Sequence, residues 1–134
     1  MYDYEMQALE FLKKAETKMT ISRIGEVRGF PGGHDDMWHY KYQVTFTRKG
    51  KQYRCTVYDS FENWRTNKRL SRYSVLACVE KYDPGTLDDF ISEFGYSRED
   101  MRQVKKTYEA CKKQYERLMD LFGEELMKDL REIW

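Results

Sequence analysis

The apolar positions of this chain change their period several times, and each change marks an element. In the opening segment Met6, Leu9 and Leu12 recur at helical spacing, Phe11 and Ala15 widen the stripe, and Asp3 is placed to cap the first turn. This pattern predicts a helix that ends near Thr17. MTISRIGEV then reads as a short strand whose alternation weakens after Ile21, and GFPGGHDD reads as a loop, being rich in glycine around a proline. The clearest strand is MWHYKYQVTFT, with Trp38, Tyr40, Tyr42, Val44 and Phe46 on one face and His39, Lys41, Gln43 and Thr45 on the other. RKGK supplies a tight turn at Gly50, and QYRCTVY returns with Tyr53, Cys55 and Val57 alternating. The pair predicts a β-hairpin.

Residues 59–70 carry Phe61 and Trp64 without a period and read as a loop with at most one helical turn. Ser71 is placed to cap a helix running to about Tyr82, and Pro84 disfavours helical geometry at Asp83. Thr86 opens a short helix in which Asp89 stands at the capping-box position; Phe90, Ile91 and Phe94 face inward and Gly95 closes it. Ser97 opens the last long helix, whose apolar seam is Met101, Val104, Tyr108, Cys111, Tyr115, Leu118 and Phe122 until Gly123 interrupts it. The expected order is α-β-β-β-α-α-α, an α+β fold in a single domain spanning 1–134, with the C-terminal helices laid over the hairpin sheet. The seam suits packing on that sheet or, alternatively, an oligomer interface.

Composition narrows the class. Hydrophobic residues at 40% and charged residues at 35% describe a globular chain, and no run approaches the ~18 apolar residues of a membrane span. MYDYEMQALEFLKK is acidic before it is apolar, unlike a secretory signal. Cys55, Cys78 and Cys111 are odd in number and widely spaced, which points to reduced thiols in a cytoplasm. The net charge of +1 conceals an asymmetry. Residues 37–72 hold nine Lys/Arg against two Asp/Glu, and residues 73–100 hold two against seven.

The basic segment carries the strongest functional signal. Arg48, Lys49, Lys51 and Arg54 lie on the hairpin, Arg65, Lys68, Arg69 and Arg72 follow it, and Tyr58 and Trp64 are interleaved. Cations among aromatics suit phosphate contact with stacking; the same residues also suit a solvated strand edge guarded by charge. Asp83, Asp88, Asp89 and Glu93 either favour a helix N-terminus or imitate a phosphate backbone. His34, Asp35 and Asp36 offer metal-ligand atoms, but three consecutive residues converge poorly on one ion, so no metal or cofactor is expected. No phosphate-binding loop, dinucleotide fingerprint or zinc-protease motif is present in the chain.

The α-β-β-β-α order resembles the double-stranded RNA-binding domain in topology. TNKRLSRYSVLA stands where that family places its basic second-helix signature, but lacks the signature's glycine. A fuller resemblance is to a group of small proteins encoded by phages and mobile elements of gut Firmicutes. It is carried by EMQALEFLKKAETKMTI, YKYQVTFTRKGKQYRCTVYDS, YSVLACVEKYDPGTLDDFISEFGYS and KKTYEACKKQYERLMDLFGEELMKDLREI, whereas residues 23–36 and 59–70 fit less clearly. The resemblance assigns no catalytic residues. It implies a phage accessory protein in a bacterial cytoplasm, and hence a non-enzymatic inhibitor of a host protein or ribonucleoprotein defence complex, such as an anti-CRISPR protein on a Cas effector. The rival expectation is an accessory protein that binds nucleic acid directly through the basic hairpin and loop.

Overall fold

Alternating apolar residues and a two-residue turn build the centre of the molecule. The computed structural model describes residues 3–29, 38–58, 70–94 and 101–133. Their order is α1 (Tyr4–Lys14), β1 (Thr17–Arg28), β2 (Trp38–Arg48), β3 (Lys51–Tyr58), α2 (Arg72–Cys78), α3 (Leu87–Phe94) and α4 (Met101–Arg131). The strands form one antiparallel sheet in the order β1-β2-β3, with β1 and β3 its edges among the described residues. This is the α+β arrangement that the periodicity predicts. At the hairpin tip Arg48 pairs with Lys51, and Lys49 (φ 48) and Gly50 (φ 80) both take positive φ. Two such residues make the turn whose twist matches the flanking strands, and glycine enters that region without a Cβ penalty.

Tyr42, Val44 and Phe46 of β2 and Tyr53, Cys55 and Val57 of β3 are buried on the face that the helices cover. The same cluster takes in Ala8, Phe11, Leu12 and Ala15 of α1, Val75 and Leu76 of α2, and Leu118, Leu121 and Phe122 of α4. Phe122 is its hub, lying edge-on to Phe11 at 5.5 Å and to Phe46 at 6.0 Å between ring centroids. Leu118 is fully buried, as the seam requires.

Several expectations are corrected. The buried stripe of α1 runs through Ala8, Phe11, Leu12 and Ala15, while Met6 and Leu9 are exposed at 51% and 41%. The helix also stops three residues short of Thr17. Asp3 does cap it, accepting from Glu5 N at 3.0 Å and Met6 N at 3.3 Å. β1 is 12 residues long rather than short. It contains a bulge: Arg23 pairs with Tyr42 and Gly25 with Lys41, which leaves Ile24 unpaired. One extra residue exchanges the two faces of everything beyond it, so the apolar alternation fails after Ile21 although the strand continues.

On β2, Tyr40 is half-buried and Trp38 is 49% exposed instead of core. The last described β3 residue, Tyr58, stands opposite Lys41, and Trp38 and Tyr40 lie beyond that pair. His39 alternates to the face of β2 opposite Tyr42 and Val44, but it is buried rather than solvated, at 2% exposure.

α2 ends at Cys78, short of Tyr82. Val79 is extended (ψ 152) and buried at 7%, and its N–H makes the last helical bond, to Val75 O. α3 begins as expected, with a reciprocal capping box: Asp89 N donates to Thr86 Oγ1 at 3.1 Å and Thr86 N donates to Asp89 Oδ2 at 3.3 Å. The first half of the α4 seam packs on α3 instead of on the sheet. Tyr108 meets Phe90 at 5.6 Å between centroids and donates its hydroxyl to Gly85 O at 2.6 Å. The loop residues 30–37, the connection 59–69, and Gly95 and Ser97 as helix punctuation lie outside the described residues. Among the described residues no helix is long and apolar enough to cross a membrane.

Gly123 divides α4 with φ 80 and ψ 170, a conformation available to little besides glycine. Beyond it Met127, Leu130 and Ile133 turn back and bury themselves almost completely. A Cβ at Gly123 would meet nothing within 4 Å, so substitution there tests the backbone alone. Gly123→Ala is expected to lower the unfolding free energy by about 1–3 kcal/mol. Leu118→Ala, which empties a site at the centre of the core, is expected to cost about 2–5 kcal/mol. Urea titration of both variants measures the two losses; a midpoint equal to wild type for either would contradict the corresponding account.

Candidate functional site

The sheet separates the basic residues that the sequence groups together. Arg48 is a structural residue. The α1 carbonyls have no helical partner at the C-terminus, and Arg48 Nε donates to Ala15 O at 2.9 Å while its Nη1 donates to Leu121 O at 3.0 Å. Thr17 Oγ1 donates to the same Ala15 O at 3.0 Å. The guanidinium therefore joins the hairpin tip to the end of α1 and to the last turn of α4 before Gly123. Arg72 sits at the far edge of the sheet, where the groove beside β1 is lined by Glu5, Met19, Ile21 and Leu70. Its Nη1 meets Glu5 Oε1 at 3.2 Å, and the other oxygen of Glu5 accepts from Tyr73 N at 3.3 Å in the first turn of α2. Arg65, Lys68 and Arg69 lie outside the described residues, as does Trp64.

Lys49, Lys51 and Arg54 remain together at the other end, exposed on the tip and on the β3 edge. There the structure adds cations that the sequence grouping missed. An open groove of about 520 Å³ runs between β3 and α4, lined by Lys51, Arg54, Lys113, Glu116, Arg117 and Asp120 on its rims and by Tyr53 and Leu121 on its floor. Lys113 and Arg117 follow the seam residues Cys111 and Tyr115 by two positions. Only the packing of α4 against β3 brings them beside the hairpin cations. The available signal was their i,i+4 repetition of like charge, which costs a helix stability unless something else uses it.

The groove is not uniformly basic. Lys51 reaches Asp120 at 3.7 Å, with both side chains well exposed, so this pair contributes little stability. Among the described residues Arg54, Lys113 and Arg117 make no ion pair. The acidic set is used locally: Asp83 Oδ1 accepts from Gly85 N at 2.9 Å, Asp89 caps α3, and Asp88 stands in the first turn of that helix.

The thiols are quiescent. Burial pushes Cys55 up to about 12 and Cys78 upward. Burial, helped by the Glu80 carboxylate, also brings Cys111 to about 12. Each is held as the thiol at neutral pH, the opposite of an activated nucleophile. His34, Asp35 and Asp36 lie outside the described residues; among those described, no group of three or more His, Cys, Asp or Glu is placed to hold a metal ion.

No family model, no curated protein and no solved structure matches the chain.

The division of the basic set into structural and free cations has a direct test. Arg48→Met leaves the Ala15 and Leu121 carbonyls without their charged donor and is expected to cost on the order of 2–3 kcal/mol. Arg72→Met breaks only a surface ion pair and should cost less than about 1 kcal/mol. Equal losses by chemical denaturation would remove the structural assignment of Arg48.

Proposed function

We propose that this chain is a non-enzymatic binding protein of a phage or mobile element that inhibits a host defence complex, with a CRISPR–Cas effector as the partner class to which the sequence resemblance points. The observation that carries a binding role is the β3–α4 groove, where Arg54, Lys113 and Arg117 converge without ion-pair partners among the described residues. Exposed cations on a rigid strand and helix attract an anionic partner and accelerate its encounter. The Cys55 thiol is buried and held protonated, which supports a role without covalent chemistry at that residue.

Direct binding of bare nucleic acid is the second reading. Glu116 and Asp120 stand among the cations of the groove, and Arg72 is on the opposite edge, paired with Glu5. A phosphate backbone favours a continuous track of one sign. Mixed signs favour a protein surface, where both partners contribute patterned charge.

The test is protection of a phage against a CRISPR–Cas effector in cells, with binding to the purified effector measured alongside. The triple variant Arg54→Glu, Lys113→Glu, Arg117→Glu is expected to reduce protection and effector binding by about tenfold or more, the equivalent of ~1.4 kcal/mol. Reversal of Asp83, Asp88 and Glu93 should leave both near wild type. Binding to bare DNA or RNA that weakens steeply with salt would favour the second reading. If both folded charge variants protect fully while His34→Ala or a cysteine substitution abolishes protection, the chain acts by catalysis and the binding proposal fails.

A further inference from the structure

The wall of the groove opposite α4 is the outer edge of a β-strand. Among the described residues β3 pairs with β2 alone. The pair Arg48 and Lys51 closes a two-residue turn, and in such a hairpin the closing residues exchange both ladder bonds. Alternation from that pair directs the N–H and C=O groups of Lys51, Tyr53, Cys55 and Val57 toward β2. The N–H and C=O of Gln52, Arg54 and Thr56 then point outward, along the groove. Among the described residues, none bonds to these three. An edge with free backbone groups is a template for another strand, and here a helix forms a second wall that side chains of an added strand would meet.

We infer that this edge receives an extended acidic segment of a partner protein, which adds antiparallel or parallel to β3 as a fourth strand and lies between β3 and α4. The occupant is chosen by charge. On the helix side its side chains face Lys113 and Arg117 above the apolar floor of Leu121, and on the opposite face of the pleat they lie beside Arg54. Carboxylates on either face find a cation, and small apolar residues between them fit the floor. Glu116 and Asp120 also line the groove, but Asp120 is already within reach of Lys51, and the four cations outnumber the two carboxylates, so a basic segment is the less favoured occupant. A second copy of this chain pairing β3 to β3 antiparallel about Arg54 would set the two Arg54 residues directly opposite each other, which disfavours self-association in that register. Main-chain bonds supply attraction in this mode and alternate side chains supply selection. This inference rests on the reading of the chain as a binding protein and names how the groove would be filled.

The experiment uses capped synthetic peptides about six residues long, a length that spans ~20 Å as a strand. One alternates Glu and Val, a second alternates Lys and Val, and a third is the Glu/Val peptide with N-methyl groups on alternate backbone nitrogens. Oligothymidylate serves as the nucleic-acid arm. Backbone amide shifts of the protein are followed by NMR. The Glu/Val peptide is expected to saturate with shifts concentrated at Gln52, Arg54 and Thr56, and to bind about tenfold or more tightly than either other peptide.

Gln52→Pro and Thr56→Pro each remove an outward N–H and no ladder bond, a placement that edge strands tolerate. With the melting transition retained, each variant should lose the peptide response. The inference is overturned if the N-methylated peptide binds as well as its parent, if the folded proline variants bind normally, if oligothymidylate alone produces the edge shifts, or if no peptide binds. In the phage-protection assay the two proposals separate. Proline variants that still protect while the Arg54, Lys113 and Arg117 reversal does not would reject strand addition and leave the binding role standing. Loss of protection in both sets supports strand addition.

Discussion

Three segments of this chain end at one guanidinium. α1 needs acceptors satisfied at its C-terminus, β2 needs a fixed place to turn, and α4 must give up helical geometry at Gly123; Arg48 serves all three through Ala15 O and Leu121 O. Its planar fork donates in two directions at once, which the single ammonium of lysine does less well. The position of the hairpin tip relative to α4 follows from this clamp. Lys51 comes within 3.7 Å of Asp120 because the neighbouring residue of the turn is bonded to the carbonyl of Leu121, one residue further along the helix. The groove between β3 and α4 is thus a consequence of how a helix end was capped.

The same solution recurs at the C-terminus. Lys81 Nζ donates to Leu76 O near the end of α2 and to Ile133 O, while Arg131 Nε returns a bond to Lys81 O at 3.1 Å. Tyr82 then donates to Arg131 O at 3.2 Å. Cations at helix C-termini satisfy stranded carbonyls and oppose the helix dipole. Burial lowers the Lys81 pKa, so in the window below the ordinary 10.5 the unfolded chain binds this proton more firmly than the folded one. Stability from this group accordingly rises with pH through that window and is lowest where both states are charged. The exchange with Arg131 gives this lysine a structural use: it holds the segment after Gly123 against the loop after α2, with Met127, Leu130 and Ile133 in the core.

What could be read from the sequence was what neighbours in sequence decide. The hairpin around Lys49-Gly50, the Thr86/Asp89 capping box and the break at Gly123 are each set by bonds or dihedral preferences within four residues. The misreadings all involve distant partners. Ile24 bulges, which hides twelve residues of strand behind a broken alternation. α2 stops early because Val79 is worth more buried in an extended backbone than carried around a helical turn. The α1 stripe rotates toward Ala8 because a small residue permits close approach, and Met6 is left outside. Arg48 was grouped with its basic neighbours because nothing local distinguishes a cation that meets carbonyls 33 and 73 residues away from one that faces water.

That last failure bears on how charge along a sequence relates to charge on a surface. The excess of seven positive charges across residues 37–72 is real as arithmetic, yet it is not one patch. Arg48 is bonded to carbonyls, Arg72 to Glu5 and Lys51 to Asp120, with Arg72 on the opposite side of the sheet from the other two. Among the described residues of the groove, the cations with neither an ion pair nor a hydrogen bond of their side chains are Arg54 from the basic segment and Lys113 and Arg117 from α4. Lys113 and Arg117 stand one helical turn apart, a spacing at which like charges cost a helix stability, and Arg54 adds a third positive charge along the neighbouring strand edge. The residual field left after structural pairing, rather than the density of basic residues along the chain, is what a partner approaching this molecule would encounter.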